Sequence, residues 1–410
     1  MQSSNTASPI AVSSAGRPPA PDLTDGLSKR IKGVSFSQIG QVADRGRDDP
    51  DVVKLWIGEG DLPTPDFVVE AAYEAMRAGH TRYSHTLGLP RLRQALSAYY
   101  SRHWNVDVPF DRFAITVGGM NAIMQTAQAL LDPGDEIIVP TPAWPNIVEA
   151  MRLVGGVPVA VPYRLGGDGR LVLDLNDIVA SITPKTRAIF INSPSNPTGW
   201  VMPRPDMEAL VDLARARGLW IVADEVYSHF TYDGQIAPSF LQICDENDRL
   251  IITNTFSKNW AMTGWRAGWL VLPRGLNETF AKLSEYNTTS IPAFVQHAAV
   301  RALDDGDEFI RTMAARCAES RAILVDGLSV LPGISVLPPD GAFYLMVKAQ
   351  TGETSLDLAL RLLREVKVGV APGTAFGAAG EGYLRLCFAI SPALARETVT
   401  RLTRAFAARG

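Results

Sequence analysis

Seven short apolar runs punctuate the middle of the chain: FAITV (113–117), EIIVP (136–140), VPVAV (157–161), RAIFIN (187–192), LWIVA (219–223), LIITN (250–254) and AGWLVL (267–272). Most are apolar throughout, not alternating, which marks strands buried on both faces of a sheet covered by helices. Amphipathic helices fit between several of them, such as MNAIMQTAQALL (120–131) and PDMEALVDLARARG (205–218). Strands alternating with helices predict an α/β unit built on a parallel sheet. Ahead of the first strand, Thr64-Pro65-Asp66 reads as an N-cap with proline at the first helical position, opening a helix over FVVEAAYEAM.

The last third changes character. A helix near 307–330 is followed by GAFYLMV, a helix near 356–366, VGVAPG, YLRLCFA and a final helix. This predicts a smaller α+β domain over 301–410, with 23–59 packed against it and a large domain over 60–300. Residues 1–22, rich in serine, proline and small residues, read as a disordered tail.

Composition narrows the partners. The chain has 410 residues, 46% apolar and 20% charged, with a net charge of -4. That length suits two domains, and that charge gives no global attraction to nucleic acid or membrane. Cys244, Cys317 and Cys387 are far apart and odd in number. Neither they nor the histidines fall in metal-ligand spacing, so no metal site and a reduced, cytoplasmic setting are expected. No secretory signal or membrane-spanning stretch is apparent.

In open α/β sheets, ligands bind beyond the carboxyl ends of the strands. Lys258 and Arg266 lie there, in TFSKNWAMTGWRAGW (255–269). A plain surface loop would explain them. A buried lysine, however, sheds its proton readily and suits Schiff-base formation, and Ser257 with Arg266 suits a phosphate. Asp224 ends the run LWIVA; it is either a helix cap or the partner of a protonated ring nitrogen, with Tyr227 three residues on as a second contact or a core tyrosine. Turn chemistry explains the prolines and glycine of NSPSNPTG (192–199) but does not require Asn196. Gly118, Gly119 and Met120 join a strand to a helix, where backbone N–H groups can approach a phosphate. Trp144 either stacks on a flat ring or packs in the core. Arg385 in YLRLCF needs a carboxylate, internal or from a ligand.

The order of these segments resembles class I aminotransferases of the pyridoxal-5'-phosphate (PLP) fold type I. ITVGG, DPGDEIIVPTPAW, NSPSNPTG, ADEVY, FSKNWAMTGWRAG, GAFYLM and PGTAFG all look like that family's motifs, over roughly residues 25–408. The resemblance implies a large domain with a mostly parallel seven-stranded sheet, a smaller α+β domain, and transfer of an amino group between an L-amino acid and a 2-oxo acid. It implies that Lys258 holds PLP as a Schiff base and then shuttles the proton. Asp224 would pair with the pyridine nitrogen, Asn196 and Tyr227 would hold the 3-oxygen, and Trp144 would stack on the ring. Gly118, Gly119, Met120, Ser257 and Arg266 would surround the phosphate. Gly58 and Arg385 would bind the substrate α-carboxylate with Asn196. Tyr83, in TRYSHTLG, resembles a tyrosine that reaches the neighbouring subunit's phosphate, which implies a homodimer with shared sites.

The sequence departs from the family pattern at GEGD (58–61), at Met120, at Asn259-Trp260 and at Phe36. By the resemblance, Phe36, Ile39 and Trp260 lie near the substrate side chain. Being apolar, they either favour neutral or hydrophobic amino donors over aspartate or merely pack the domain interface. Two rivals share the fold: a carbon–sulfur β-lyase, which the lysine and aspartate do not separate from a transaminase, and a regulator, for which residues 1–22 are too few to supply a DNA-binding module.

Overall fold

The computed structural model describes residues 23–407; the segment read as a tail, 1–22, lies outside the described residues. The apolar runs form a seven-stranded sheet: Phe113–Thr116 (β1), Glu136–Thr141 (β2), Val157–Pro162 (β3), Thr186–Asn192 (β4), Trp220–Asp224 (β5), Leu250–Thr255 (β6) and Gly268–Val271 (β7). Their order is β1-β7-β6-β5-β4-β2-β3. Only β7 runs against the rest, antiparallel to both β1 and β6. Every residue of β1, β6 and β7 is buried, as uniformly apolar strands require. At the edge, β3 is mostly exposed or half-buried despite its apolar sequence. It carries Pro158 and Pro162, which an edge strand tolerates because one side makes no ladder bonds.

Helices Gly118–Leu130 and Arg204–Arg217 cover the sheet where their periodicity predicts. The helix at Asp66–Arg77 begins differently from expectation. Pro65 occupies the N-cap and no side chain caps the helix. Thr64 is engaged elsewhere: its hydroxyl donates to Ala261 O at 2.7 Å and accepts from Trp265 Nε1 at 2.9 Å. The cap was given up to pin the loop beyond Lys258.

A second sheet comprises Ile334–Leu337 (β8), Tyr344–Ala349 (β9), Ala371–Pro372 (β10) and Tyr383–Cys387 (β11). It is antiparallel, in the order β8-β9-β11-β10. Helices Asp307–Ser329, Ser355–Val366 and Pro392–Ala407 accompany it. Val53–Lys54 pairs in parallel with Val368–Gly369. Val42, Val53 and Trp56 share an apolar cluster with Phe343, Leu362 and Leu386, so the early segment and the late sheet are one packed unit. Among the described residues, no helix is long and apolar enough to cross a membrane.

Candidate active site

The carboxyl ends of β1, β5 and β6 open on one cavity of about 370 Å³. Beyond β1 starts the helix Gly118–Leu130; β5 ends in Asp224; β6 runs into the four-residue helix Phe256–Asn259 that carries Lys258. The cavity is also lined from the early segment by Gly58 and Glu59, and from the second sheet by Tyr344 and Arg385.

Lys258 Nζ donates to Gly58 O at 2.7 Å and sits 5.8 Å from the centre of the Tyr227 ring. Burial pushes its amine down to about 8, with nearby Glu59 and Asp224 opposing. The loop thus gives a desolvated lysine whose amine is about half neutral near pH 8. Asp224 is buried, and burial raises its carboxyl to about 7 against the pull of the Val226 N–H and the Lys258 charge. Its Oδ1 has no hydrogen-bond partner among the described residues. A buried carboxylate oxygen without a donor is costly, so this atom is suited to an N–H from a ligand.

Two sets of side chains flank this pair. In the first, Gly118 adopts φ +74°, and a Cβ there would lie 2.4 Å from Arg266 Nη2; only glycine leaves room for the guanidinium beside the helix N-terminus. Ser257 N and its hydroxyl both meet Thr255 Oγ1, at 3.1 and 2.9 Å. The exposed Arg266 donates through Nη1 to Thr263 O at 2.7 Å, leaving the rest of its fork for an anion. A helix N-terminus, a hydroxyl and a guanidinium form a donor set that fits a phosphate.

In the second set, Arg385 is 2% exposed. Its Nη1 donates to Asn196 Oδ1 at 3.2 Å and its Nη2 to Trp56 O. Among the described residues no carboxylate pairs with it, so the internal salt bridge that would explain it is absent there. Its guanidinium lies 4.5 Å from the Tyr344 ring centre, and the Tyr344 and Tyr227 hydroxyls are 2.7 Å apart. Burial raises both phenols above their ordinary range. A Cβ on Gly58 would fall 1.9 Å from Tyr344 Oη, which explains why glycine stands there.

Of the residues singled out in the sequence, Gly58, Gly119, Met120, Trp144, Asn196, Asp224, Tyr227, Ser257, Lys258, Arg266 and Arg385 line the cavity, as does Ile39. Gly118 lies behind Arg266. Tyr83 is 89% exposed and away from its own chain's cavity. One expectation fails: Trp260 is fully buried, packed against Phe256 and Tyr99; Phe36 is 74% exposed and does not line the cavity, although Ser37 and Ile39 beside it do. Trp260 follows a helix of only four residues and turns into the core, so it cannot line the substrate pocket. Tyr344, Trp56 and Glu59 carried no assignment in the sequence, although Tyr344 stands in GAFYLM and Glu59 in GEGD. Among the described residues no His/Cys/Asp/Glu group is arranged to hold a metal.

Residues 50–402 match the family described as aminotransferase class I and II. The chain belongs to that family. This aminotransferase is 36% identical over 382 residues to aspartate aminotransferase of Pyrococcus abyssi, covering 92% of this chain and 97% of that one. It is 35% identical to aromatic-amino-acid aminotransferase 2 of Thermococcus litoralis, with the same coverage. Among solved structures, Thermus thermophilus aspartate aminotransferase with maleate superposes with a TM-score of 0.85 at 35% identity, covering 92% of this chain and 99% of that one. The fold is therefore that of the fold type I aminotransferases, and the protein is an enzyme, a transaminase.

Proposed function

We propose that pyridoxal 5'-phosphate is the cofactor and that the reaction exchanges an amino group between a neutral L-amino acid and a 2-oxo acid. The observation that carries this is a half-buried lysine with a depressed amine lining the same cavity as a buried carboxylate whose Oδ1 lacks a donor. The donor set of Gly118, Gly119, Met120, Ser257 and Arg266 holds the phosphate. Asp224 accepts the pyridine N–H, Asn196 and Tyr227 hold the 3-oxygen, and Trp144 covers the ring. Bound there, PLP supplies the electron sink that makes the substrate Cα–H acidic. Arg385 grips the substrate α-carboxylate with Asn196 and the backbone at Gly58, which orients the Cα–H bond toward the amine. Lys258 Nζ, neutral because it is desolvated, removes that proton and later returns it. Tyr227 and Tyr344 keep water from the face they cover.

Substrate choice follows from the lining. The cations on the cavity wall are Lys258, Arg266 and Arg385, and each already has a role. Ile39, Ile57, Met120, Ile123 and Trp144 supply apolar wall, and Glu59 adds a carboxylate; an acidic side chain would meet no free cation there. Of the residues first assigned to this wall, Ile39 lines the cavity, Phe36 is exposed beside it and Trp260 lies in the core.

Three further readings belong to the proposal. A homodimer with shared sites is supported by the exposure of Tyr83 and its absence from the lining of its own cavity. A cytoplasmic location is supported by three cysteines that are free thiols. Domain limits at 59/60 and 300/301, with 23–59 belonging to the smaller domain, are supported by the pairing of Val53–Lys54 with Val368–Gly369. The central test is chemical: borohydride reduction of the purified protein with PLP should fix the cofactor to Lys258. Peptide mapping that finds it on another lysine, or nowhere, overturns the reading.

A further inference from the structure

Behind the cavity wall lies a hydrogen-bonded unit that none of the roles above uses. Tyr99, on the helix Pro90–Trp104, is 1% exposed. Its hydroxyl is 2.5 Å from His229 Nε2, and Asn259 Nδ2 donates to it at 3.3 Å. Asn259 follows Lys258 in the chain, and His229 follows Tyr227 by two residues. One phenol therefore bridges the two segments that present Lys258 and Tyr227 to the cavity.

Asn259 Nδ2 donates to Tyr99 Oη, whose own proton can turn toward Nε2 of a neutral His229, the imidazole proton then lying on Nδ1. Its surroundings agree: burial first, then the neighbouring His103, push the imidazole down to about 3. The His103 ring meets it edge-on, 4.8 Å between centres, and is itself bonded to Asp307 at 3.1 Å. A protonated His229 would end the donation from the phenol to Nε2.

We infer that Tyr99 and His229 are positioning residues that hold the Phe256–Asn259 turn, and with it Lys258 Nζ, in register with Tyr227. Neither touches the cavity; they act through Asn259 and through the backbone between Tyr227 and His229. The short helix needs such support, because a four-residue helix has one turn of internal bonding and little stability of its own. This inference rests on the reading of Lys258 as the cofactor lysine.

The test compares Tyr99→Phe, which keeps the ring and removes the bridging hydroxyl, with a pair at the other end of the bond. His229→Gln can offer an acceptor near the position of Nε2, and His229→Leu cannot. With the amino donor that the wild type uses best, Tyr99→Phe and His229→Leu should lower kcat at least about tenfold while KM stays within about twofold, the signature of lost positioning and not lost binding. His229→Gln should recover most of that rate. The visible band of the PLP-reconstituted enzyme should titrate at a shifted pH in Tyr99→Phe and His229→Leu and near the wild-type pH in His229→Gln. Unchanged kcat and an unchanged spectral midpoint in Tyr99→Phe overturn the inference, as does an equal loss in His229→Gln and His229→Leu. If Tyr99→Phe does not fold, the two His229 variants decide. Borohydride labelling of another lysine in the wild type would instead sink the reading beneath it.

Discussion

Replacing Asp224 by Asn should move stability and activity in opposite directions. Raising a carboxyl from 3.8 to about 7 by burial corresponds to about 4 kcal/mol of unfavourable ionisation in the folded, cofactor-free protein. The sign follows from proton binding. Between pH 3.8 and about 7 the folded state holds this proton more tightly than the unfolded chain does, so stability falls as pH rises through that window. The cost is absent below it and complete above it. Asn carries no charge, so the variant should escape this slope. At pH 8 it should be more stable than the wild type by about 2 kcal/mol, less than the full figure because a buried amide is also desolvated. Glu225, whose carboxyl burial also raises to about 7, is raised further by the Asp224 charge, so the substitution relieves it as well, in the same direction. With cofactor bound the effect reverses: loss of the charge partner in a desolvated site should slow the amino-donor half-reaction at least about a hundredfold. Urea denaturation of cofactor-free protein at pH 5 and pH 8, with single-turnover absorbance on the loaded enzyme, reads both. A variant less stable than wild type at pH 8, as removal of a helix cap would give, or one that turns over within about fivefold of wild type, refutes this account.

Gly118→Ala should weaken PLP binding at least about tenfold, since φ +74° and a Cβ 2.4 Å from Arg266 Nη2 force the guanidinium away; unchanged affinity in an equilibrium titration would mean Arg266 does not serve the phosphate. In a panel of aspartate, methionine, leucine, phenylalanine and tryptophan against one common acceptor, a neutral donor should give the highest kcat/KM. An apolar wall separates neutral donors by only about 1–3 kcal/mol per methylene, so several should react; aspartate leading by more than about tenfold would reveal a basic residue in the pocket. In sedimentation the active species should be a dimer, and a fully active monomer would remove the role given to Tyr83.

Most of the strands were legible because burial on both faces leaves a continuous apolar run; the edge strand β3 is apolar without that burial, yet each of the seven runs became a strand of one sheet. Lys258, Asp224 and Arg266 were legible as a group because each follows such a strand. Reading failed where a side chain's direction depends on a short irregular element. Trp260 stands two residues from Lys258, yet the chain leaves its single helical turn there with φ -125° and ψ 19° and turns the indole into the core. The cap expected at Thr64 failed because its hydroxyl found partners 197 and 201 residues away. Tyr344 and Trp56 were missed for a related reason: their contacts with Tyr227 and Arg385 span 117 and 329 residues, and no local pattern records them.

Those long spans bear on how the chain matures. Gly58 meets Lys258 across 200 residues, and Trp56 meets Arg385 across 329. A chain that has not yet supplied β11 lacks the guanidinium that completes the pocket. Prematurely terminated products ending before Arg385 therefore lack a finished pocket, even where the lysine and its strand are in place. The pocket is thus closed by the chain's two ends: one contributes Trp56 and Gly58, the other Arg385.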